Sequence, residues 1–231
     1  MIQLSENLWL FEGPNVNFFG APYPTRSVIA KLDNGDLWVW SPIQLSDEIA
    51  DFIKRTGTVK HLVSPNKLHY LFLREWKKAF PEALLWGPAS TIRKCPDLNF
   101  EMALTEQAPP AWASEIEQFW FQGSPFLDEM VFFHKQSRTA IFADLTQNFS
   151  EAFLKKNWRP WLRTLAHLAH MTEPTGFGPL ELRLTWFRKA KDRKRLQRLL
   201  EMEPEKVIMA HGVWQNTEGR RYLETAFRWL L

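Results

Sequence analysis

The chain has 231 residues, 45% hydrophobic and 24% charged, a balance that suits a folded core and excludes a disordered or low-complexity polypeptide. Its net charge of +3 is uneven, because residues 151 to 200 hold twelve Lys or Arg against four Asp or Glu while the remainder holds seventeen against twenty-two. One cysteine, Cys95, excludes an intrachain disulfide and a Cys-based zinc cluster; without a charged-then-apolar leader after Met1, and with no apolar run near the ~20 residues of a membrane span, it points to a cytoplasmic setting away from any membrane.

Short runs of β-branched and aromatic residues open the chain. LWLF (8–11), RSVIAKL (26–32) and DLWVWS (36–41) read as strands, and Asp33-Asn34-Gly35 between the last two is a hairpin signal because Asn and Gly tolerate positive φ. Between them, Gly13 to Asn17 reads as a loop, and the turn-rich GAPYPT (20–25) as the wall of a pocket. Ser46 then stands as an N-cap, Asp47 and Glu48 suit the positive end of a helix dipole, and Ile49, Phe52 and Ile53 recur at helical spacing up to Gly57. Strand VKHLV (59–63), the loop SPNKLH (64–69), a helix from Tyr70 through Phe80 stopped by Pro81, and strand ALLW (83–86) complete an alternation that implies parallel pairing with right-handed crossovers.

The middle of the chain returns to β. IEQFWFQ (116–122), EMVFFH (129–134) and TAIFAD (139–144) predict a mainly antiparallel ladder. From Ser150 the pattern is helical: one segment over 151–171, a break at TEPTGFGPLE, then a basic helix within 182–202. Strand KVIMA (206–210) runs into His211-Gly212, and Thr217 is the expected cap of a last helix with Tyr222, Leu223, Ala226, Phe227 and Leu230 on one face. A single domain over residues 1–231 is expected, its core filled by twelve Trp and eighteen Phe.

Three polar residues share one local grammar: His69 follows a strand, Asp144 ends one, and His211 ends another. Polar residues at strand ends converge on one edge of a sheet, and two imidazoles with one carboxylate are a metal-ligand set that leaves positions open for water or substrate. Each also has a plainer role, His69 and Asp144 as caps of the segments that follow them and His211 as partner of a neighbouring carbonyl. His134 ends a strand, and His167 and His170 lie three apart on a helix, a spacing that more often carries no metal. Arg183, Arg188, Lys189, Lys191, Arg193, Lys194 and Arg195 form the densest positive cluster, which reads as a solvated helix face or as a surface for phosphate or nucleic acid.

The element order, the loop before His69, the phrase IFADL with Asp144 and VIMAHG with His211 resemble the metallo-β-lactamase superfamily across nearly the whole chain, and SPNKLHYLFLREW with SRTAIFADL is similar to an uncharacterised bacterial branch of it. The resemblance implies an α/β fold with mixed sheets, a four-layer αββα sandwich with metals at one edge, here with a basic helical insertion at about 150–202 before the last strand. Laid on the family's His-x-His-x-Asp-His loop, Ser64 and Asn66 stand in place of two histidines, Leu68 in place of the aspartate, and His69 keeps the final histidine; no histidine stands near Gly123-Ser124-Pro125. One of the family's two metals thus loses its ligands, while three of the four ligands of the other remain as His69, Asp144 and His211. One divalent metal, Zn, Fe or Mn, is implied as chemically possible, held more weakly without a charge at Leu68.

Three functions follow as expectations. The first is a mononuclear metal-dependent hydrolase acting on a small-molecule ester, thioester or amide. The second is a metal-free, degenerate member that binds a small molecule or a partner. The third, ranked lowest, is a nucleic-acid binder.

Overall fold

The computed structural model describes residues 1–231. Strict alternation along the strands decides the layering. In β4 (Asp36–Trp40), Trp38 and Trp40 face one way while Leu37 and Val39 face the other, so both faces of its sheet must be covered. That sheet runs β1 (Ile2–Ser5), β2 (Leu8–Phe18), β3 (Ala21–Lys31), β4, β5 (Thr58–Val63), β6 (Leu84–Gly87) and β7 (Phe100–Ala103), neighbours in that order. The first four strands pair antiparallel and the last four parallel, with α1 (Asp47–Thr56), α2 (Leu73–Ala79) and α3 (Ala89–Lys94) as crossovers.

A second sheet has the order β11-β10-β9-β8, from β8 (Ile116–Phe121), β9 (Glu129–His134), β10 (Thr139–Ile141) and β11 (Lys206–Ile208). The ladder β8-β9-β10 is antiparallel and β11 joins it parallel to β10. Between β10 and β11 the chain makes α4 (Glu151–Asn157), α5 (Pro160–Leu168), α6 (Leu180–Leu184) and α7 (Lys189–Glu201), and it closes with α8 (Gly219–Ala226).

Three apolar layers hold these parts. Trp38, Trp40, Val63 and Trp86 of the first sheet meet Ile116, Met130, Phe132, Ile141 and Ile208 of the second. On the outer face of the first sheet, Leu37, Val39 and Leu62 pack on Ile49, Phe52, Ile53, Leu73 and Trp76 of α1 and α2. On the outer face of the second, Phe119, Phe121, Phe133 and Phe142 pack on Leu196, Leu199, Leu200, Leu223 and Phe227, which lie on α7, α8 and the residues after it. The result is the αββα sandwich with helices inserted before the last strand. No helix is long and apolar enough to cross a membrane.

Several sequence expectations need correction. Residues 13–17 are strand, not loop, and the turn-rich stretch is strand from Ala21 on: β2 and β3 continue as a long hairpin past a bulge at Gly13, with Val16 opposite Tyr23 and a tip at Phe19-Gly20. The helix after His69 starts at Leu73, so His69 caps nothing. Pro160 divides the 151–171 segment into α4 and α5, because the ring fits the first turn of a new helix but not the interior of a continuing one. The last helix is entered through Glu218 at φ +53° rather than capped by Thr217. Ser46 caps α1 as expected, its Oγ accepting from Ile49 N at 3.3 Å.

Candidate metal site

His69, Asp144 and His211 converge at one edge of the two sheets, their potential ligand atoms within 4.8 Å of one another. His69 Nε2 lies 3.3 Å from Asp144 Oδ2, and His211 Nε2 lies 3.2 Å from Asp144 Oδ1. The two imidazoles are stacked, with ring centroids 5.8 Å apart. Tetrahedral ligands bound at ~2.1 Å stand ~3.4 Å apart, so these spacings suit three neighbouring ligands of one cation.

Each residue is set by its own local structure. The loop 64–69 is knitted by Ser64 and Asn66: Ser64 Oγ donates to the carbonyls of Asn66 (2.8 Å) and His69 (3.0 Å), and Asn66 Oδ1 accepts from Leu68 N at 2.8 Å. His69 Nδ1 is 2.7 Å from Ser41 Oγ. His211 Nδ1 is 2.8 Å from the carbonyl oxygen of Pro24, and its ring meets Tyr23 edge-on at 4.9 Å. The following Gly212, at φ +99°, lies against Asn148, whose carbonyl oxygen would sit 2.2 Å from any Cβ there. Only glycine allows the chain to turn this close behind His211.

Asp144 is held from below by Glu129, a fully buried carboxylate whose role the sequence did not reveal. Its Oε1 accepts from Ala143 N (2.8 Å), and its Oε2 from Asp144 N (2.7 Å), Leu145 N (3.3 Å) and Asn66 Nδ2 (3.2 Å). Asn66 Nδ2 also donates to Asp144 Oδ2 at 2.8 Å. The position that the resemblance gives to a histidine is thus taken up by an amide bridging two carboxylates. Burial, then the charge of Asp144, pushes the Glu129 carboxyl up, against the pull of its N–H donors. Burial would raise Asp144 as well, but hydrogen bonds and charge from His211 and His69 outweigh it and hold that carboxyl far below the usual carboxylate range.

The three residues open into a cavity of ≈ 770 Å³, a size suited to a small molecule. The hairpin tip (Val16, Phe18, Phe19), Tyr23, Ile43, residues 67–72, Phe126, Leu127, Met171 and Leu182 make its walls largely apolar. The stretch 20–25 does line the cavity, through Tyr23 and Thr25, and 13–17 reaches it through Val16 and Asn17 as strand rather than loop. Arg26, 5% exposed, bonds Met209 O at 2.6 Å and Glu12 at 2.7 Å, and burial lowers its pKa. Gln147 lies buried in the wall with its Oε1 lacking a hydrogen-bond partner. Burial keeps the Tyr23 phenol neutral by raising its pKa.

The other histidines stay apart from this edge. His134 bonds Ser137 at 2.7 Å, His167 pairs with Glu151 at 2.9 Å, and His170 packs on Phe177. Much of the basic cluster is structural: Arg195 pairs with Glu106 and Asp192, Arg193 donates to Leu230 O, and Arg183 donates to the carbonyls of Gly178 and Ala169.

A family described as domain of unknown function (DUF4336) matches residues 5–157, a span that includes His69 and Asp144 and stops before His211. No curated protein matches the sequence. Among solved structures, a metallo-β-lactamase from Pontibacter korlensis superposes with a TM-score of 0.66 at 13% identity, covering 99% of this chain and 97% of the other. A metallo-β-lactamase from Erythrobacter litoralis gives 0.66 at 10% identity, with 99% and 94% covered. One from Hirschia baltica gives 0.63 at 11%, with 99% and 96% covered. The fold is that of the metallo-β-lactamases, and at its edge lies a His/Asp group that could bind a metal.

Proposed function

We propose that this chain, which belongs to the DUF4336 family, is a mononuclear metal-dependent hydrolase that cleaves a small-molecule ester, thioester or amide, with one Zn, Fe or Mn ion on His69, Asp144 and His211. The observation that carries this reading is the setting of His211. A carbonyl oxygen only accepts, so Nδ1 carries a proton toward Pro24, and Nε2, 3.2 Å from a carboxylate oxygen, must either carry a second proton or share a cation with it. Lone pair against carboxylate is repulsive unless a cation or a second proton lies between. A divalent cation removes that repulsion and matches the donor set of two imidazoles and one carboxylate.

When bound, such an ion supplies Lewis acidity that polarises a carbonyl and acidifies water. The chain's own residues do the rest. Pro24 and Ser41 fix the orientations of the two rings through the nitrogens facing away from Asp144, and Asn66 with Glu129 fixes the carboxylate. Tyr23 keeps its proton on the cavity wall, and the apolar lining holds a substrate body while excluding bulk water. Leu68 offers no ligand atom where the resembled family has its aspartate, so the ion would have three protein ligands rather than four and be held more weakly.

One observation favours the metal-free binding module. Both oxygens of Asp144 already have partners, Oδ2 with Asn66 and His69 and Oδ1 with His211, an arrangement that two protonated imidazoles would satisfy without an ion. Elemental analysis of protein purified without a metal-binding tag separates the two. The hydrolase contains close to one metal per chain, loses it in His211→Ala, and loses melting temperature and ester, thioester or amide cleavage on chelation. Protein that is metal-free and indifferent to chelator leaves the binding module.

A further inference from the structure

A second cavity of ≈ 380 Å³ lies beside the first and shares Lys67, Phe126 and Leu127 with it. Its chemistry is different. Lys67, Arg93 and Arg188 reach it from three separate places, the loop after β5, the last turn of α3 and the residue before α7. Other arginines have carboxylate partners: Arg74 with Asp97, Arg195 with Glu106, Arg198 with Glu117. These three cations have none. Asp128 is the single carboxylate of the lining, and its two oxygens are taken up by Ser90 Oγ at 2.5 Å and Trp120 Nε1 at 3.0 Å. The Gln122 side chain adds an uncommitted amide. Three cations against one carboxylate around a space of this size form a seat for a multivalent oxyanion.

We infer that the ligand of this edge is amphipathic, its apolar body lying in the larger cavity over His69, Asp144 and His211 and its phosphate-bearing end seated against Lys67, Arg93 and Arg188. Where the body lies rests on the hydrolase reading above; the phosphate seat does not. The larger cavity supplies the apolar half through Phe18, Tyr23, Ile43, Leu71, Met171 and Leu182. Because none of His69, Asp144 and His211 lines the second cavity, the phosphate is a recognition group rather than the bond attacked. Lys67 is the hinge of the arrangement: it borders both cavities and stands between Asn66 and Leu68, so the ligand's charged end is registered against the loop that carries His69.

The test is a set of titrations at low ionic strength with octyl phosphate, 1-octanol and inorganic phosphate, on the native chain, on His211→Ala and on the double variant Arg93→Gln/Arg188→Gln. Both arginines are exposed, so the double variant should fold with unchanged melting temperature and metal content. Octyl phosphate should bind at least tenfold more tightly than either half-ligand, and the double variant should lose the advantage over octanol while binding octanol as before. Octyl phosphate that binds no better than octanol, or that keeps its advantage in the double variant, overturns the assignment. His211→Ala should retain the phosphate preference, so absence of a metal with the preference intact defeats the hydrolase reading alone, and a metal without the preference defeats this inference alone.

Discussion

Glu129→Gln probes the support of the site while barely changing its shape. The native carboxylate accepts four N–H groups, three from the backbone of residues 143–145 and one from Asn66. A glutamine keeps one acceptor oxygen. If that oxygen takes the side serving Asp144 N, Leu145 N and Asn66, the new NH2 faces Ala143 N–H, leaving one buried backbone donor and the new amide hydrogens without acceptors. Each such loss costs about 1–3 kcal/mol, offset in part because burial and Asp144 already disfavour a charge at this position. A net loss of about 2 kcal/mol is expected, which in a chain of this size lowers the melting temperature by about 4–8 °C. Because Asp144 is oriented by this carboxylate, metal affinity should fall by about 10- to 100-fold. Glu129→Ala abandons all four donors and should cost at least twice as much. Thermal melts with and without chelator, beside the exposed control Glu82→Gln, measure both effects. A Glu129→Gln protein melting within about 1 °C of the parent would refute the assignment of Glu129 as the anchor of this strand end.

Burial holds both His61 and His134 near pKa 4, below their ordinary 6.5. The unfolded chain therefore takes up protons that the folded chain does not, and stability present above about pH 6.5 falls as pH drops toward 4, on the order of 2 kcal/mol per histidine. His61→Gln/His134→Gln should flatten melting temperature across that window, and an unchanged acid profile would contradict it. Leu68→Asp returns a carboxylate to the loop beside His69 and should tighten Zn binding at least tenfold in a competitive chelator titration; unchanged affinity would place residue 68 outside the site's field. Gly212→Ala forces a Cβ against Asn148 O at a backbone angle that L residues rarely adopt, so it should lose about 1–3 kcal/mol of stability together with metal affinity. Denaturant titration with and without Zn checks both losses.

The parts of the fold legible in the sequence were those set by local pattern. The turn at Asn34-Gly35, the cap at Ser46 and the apolar runs at 59–63 and 83–86 each carry their own signal, and the structure has a hairpin, a capped helix and parallel strands there. The long hairpin arm was hidden because Gly13, Pro14, Pro22 and Pro24 break any strand pattern. Proline lacks only the donor, however, and the ladder tolerates it where that N–H has no partner to serve. Asp144 and His211 stood out because each ends an apolar run, and His69 because it closes the loop that follows one. Glu129 did not, since a charge opening a strand normally meets water and its four donors come from distant parts of the chain. Ser41 and Pro24 are equally silent in sequence, one orienting His69 from 28 residues away and the other orienting His211 from 187.

Anomalous diffraction at the zinc edge from crystals grown with Zn tests the central claim most directly. A single peak within about 2.0–2.3 Å of His69 Nε2, His211 Nε2 and an Asp144 oxygen, absent in His211→Ala, is the predicted result. Crystals in which the two imidazoles remain hydrogen-bonded to Asp144 and no peak stands between them would contradict it.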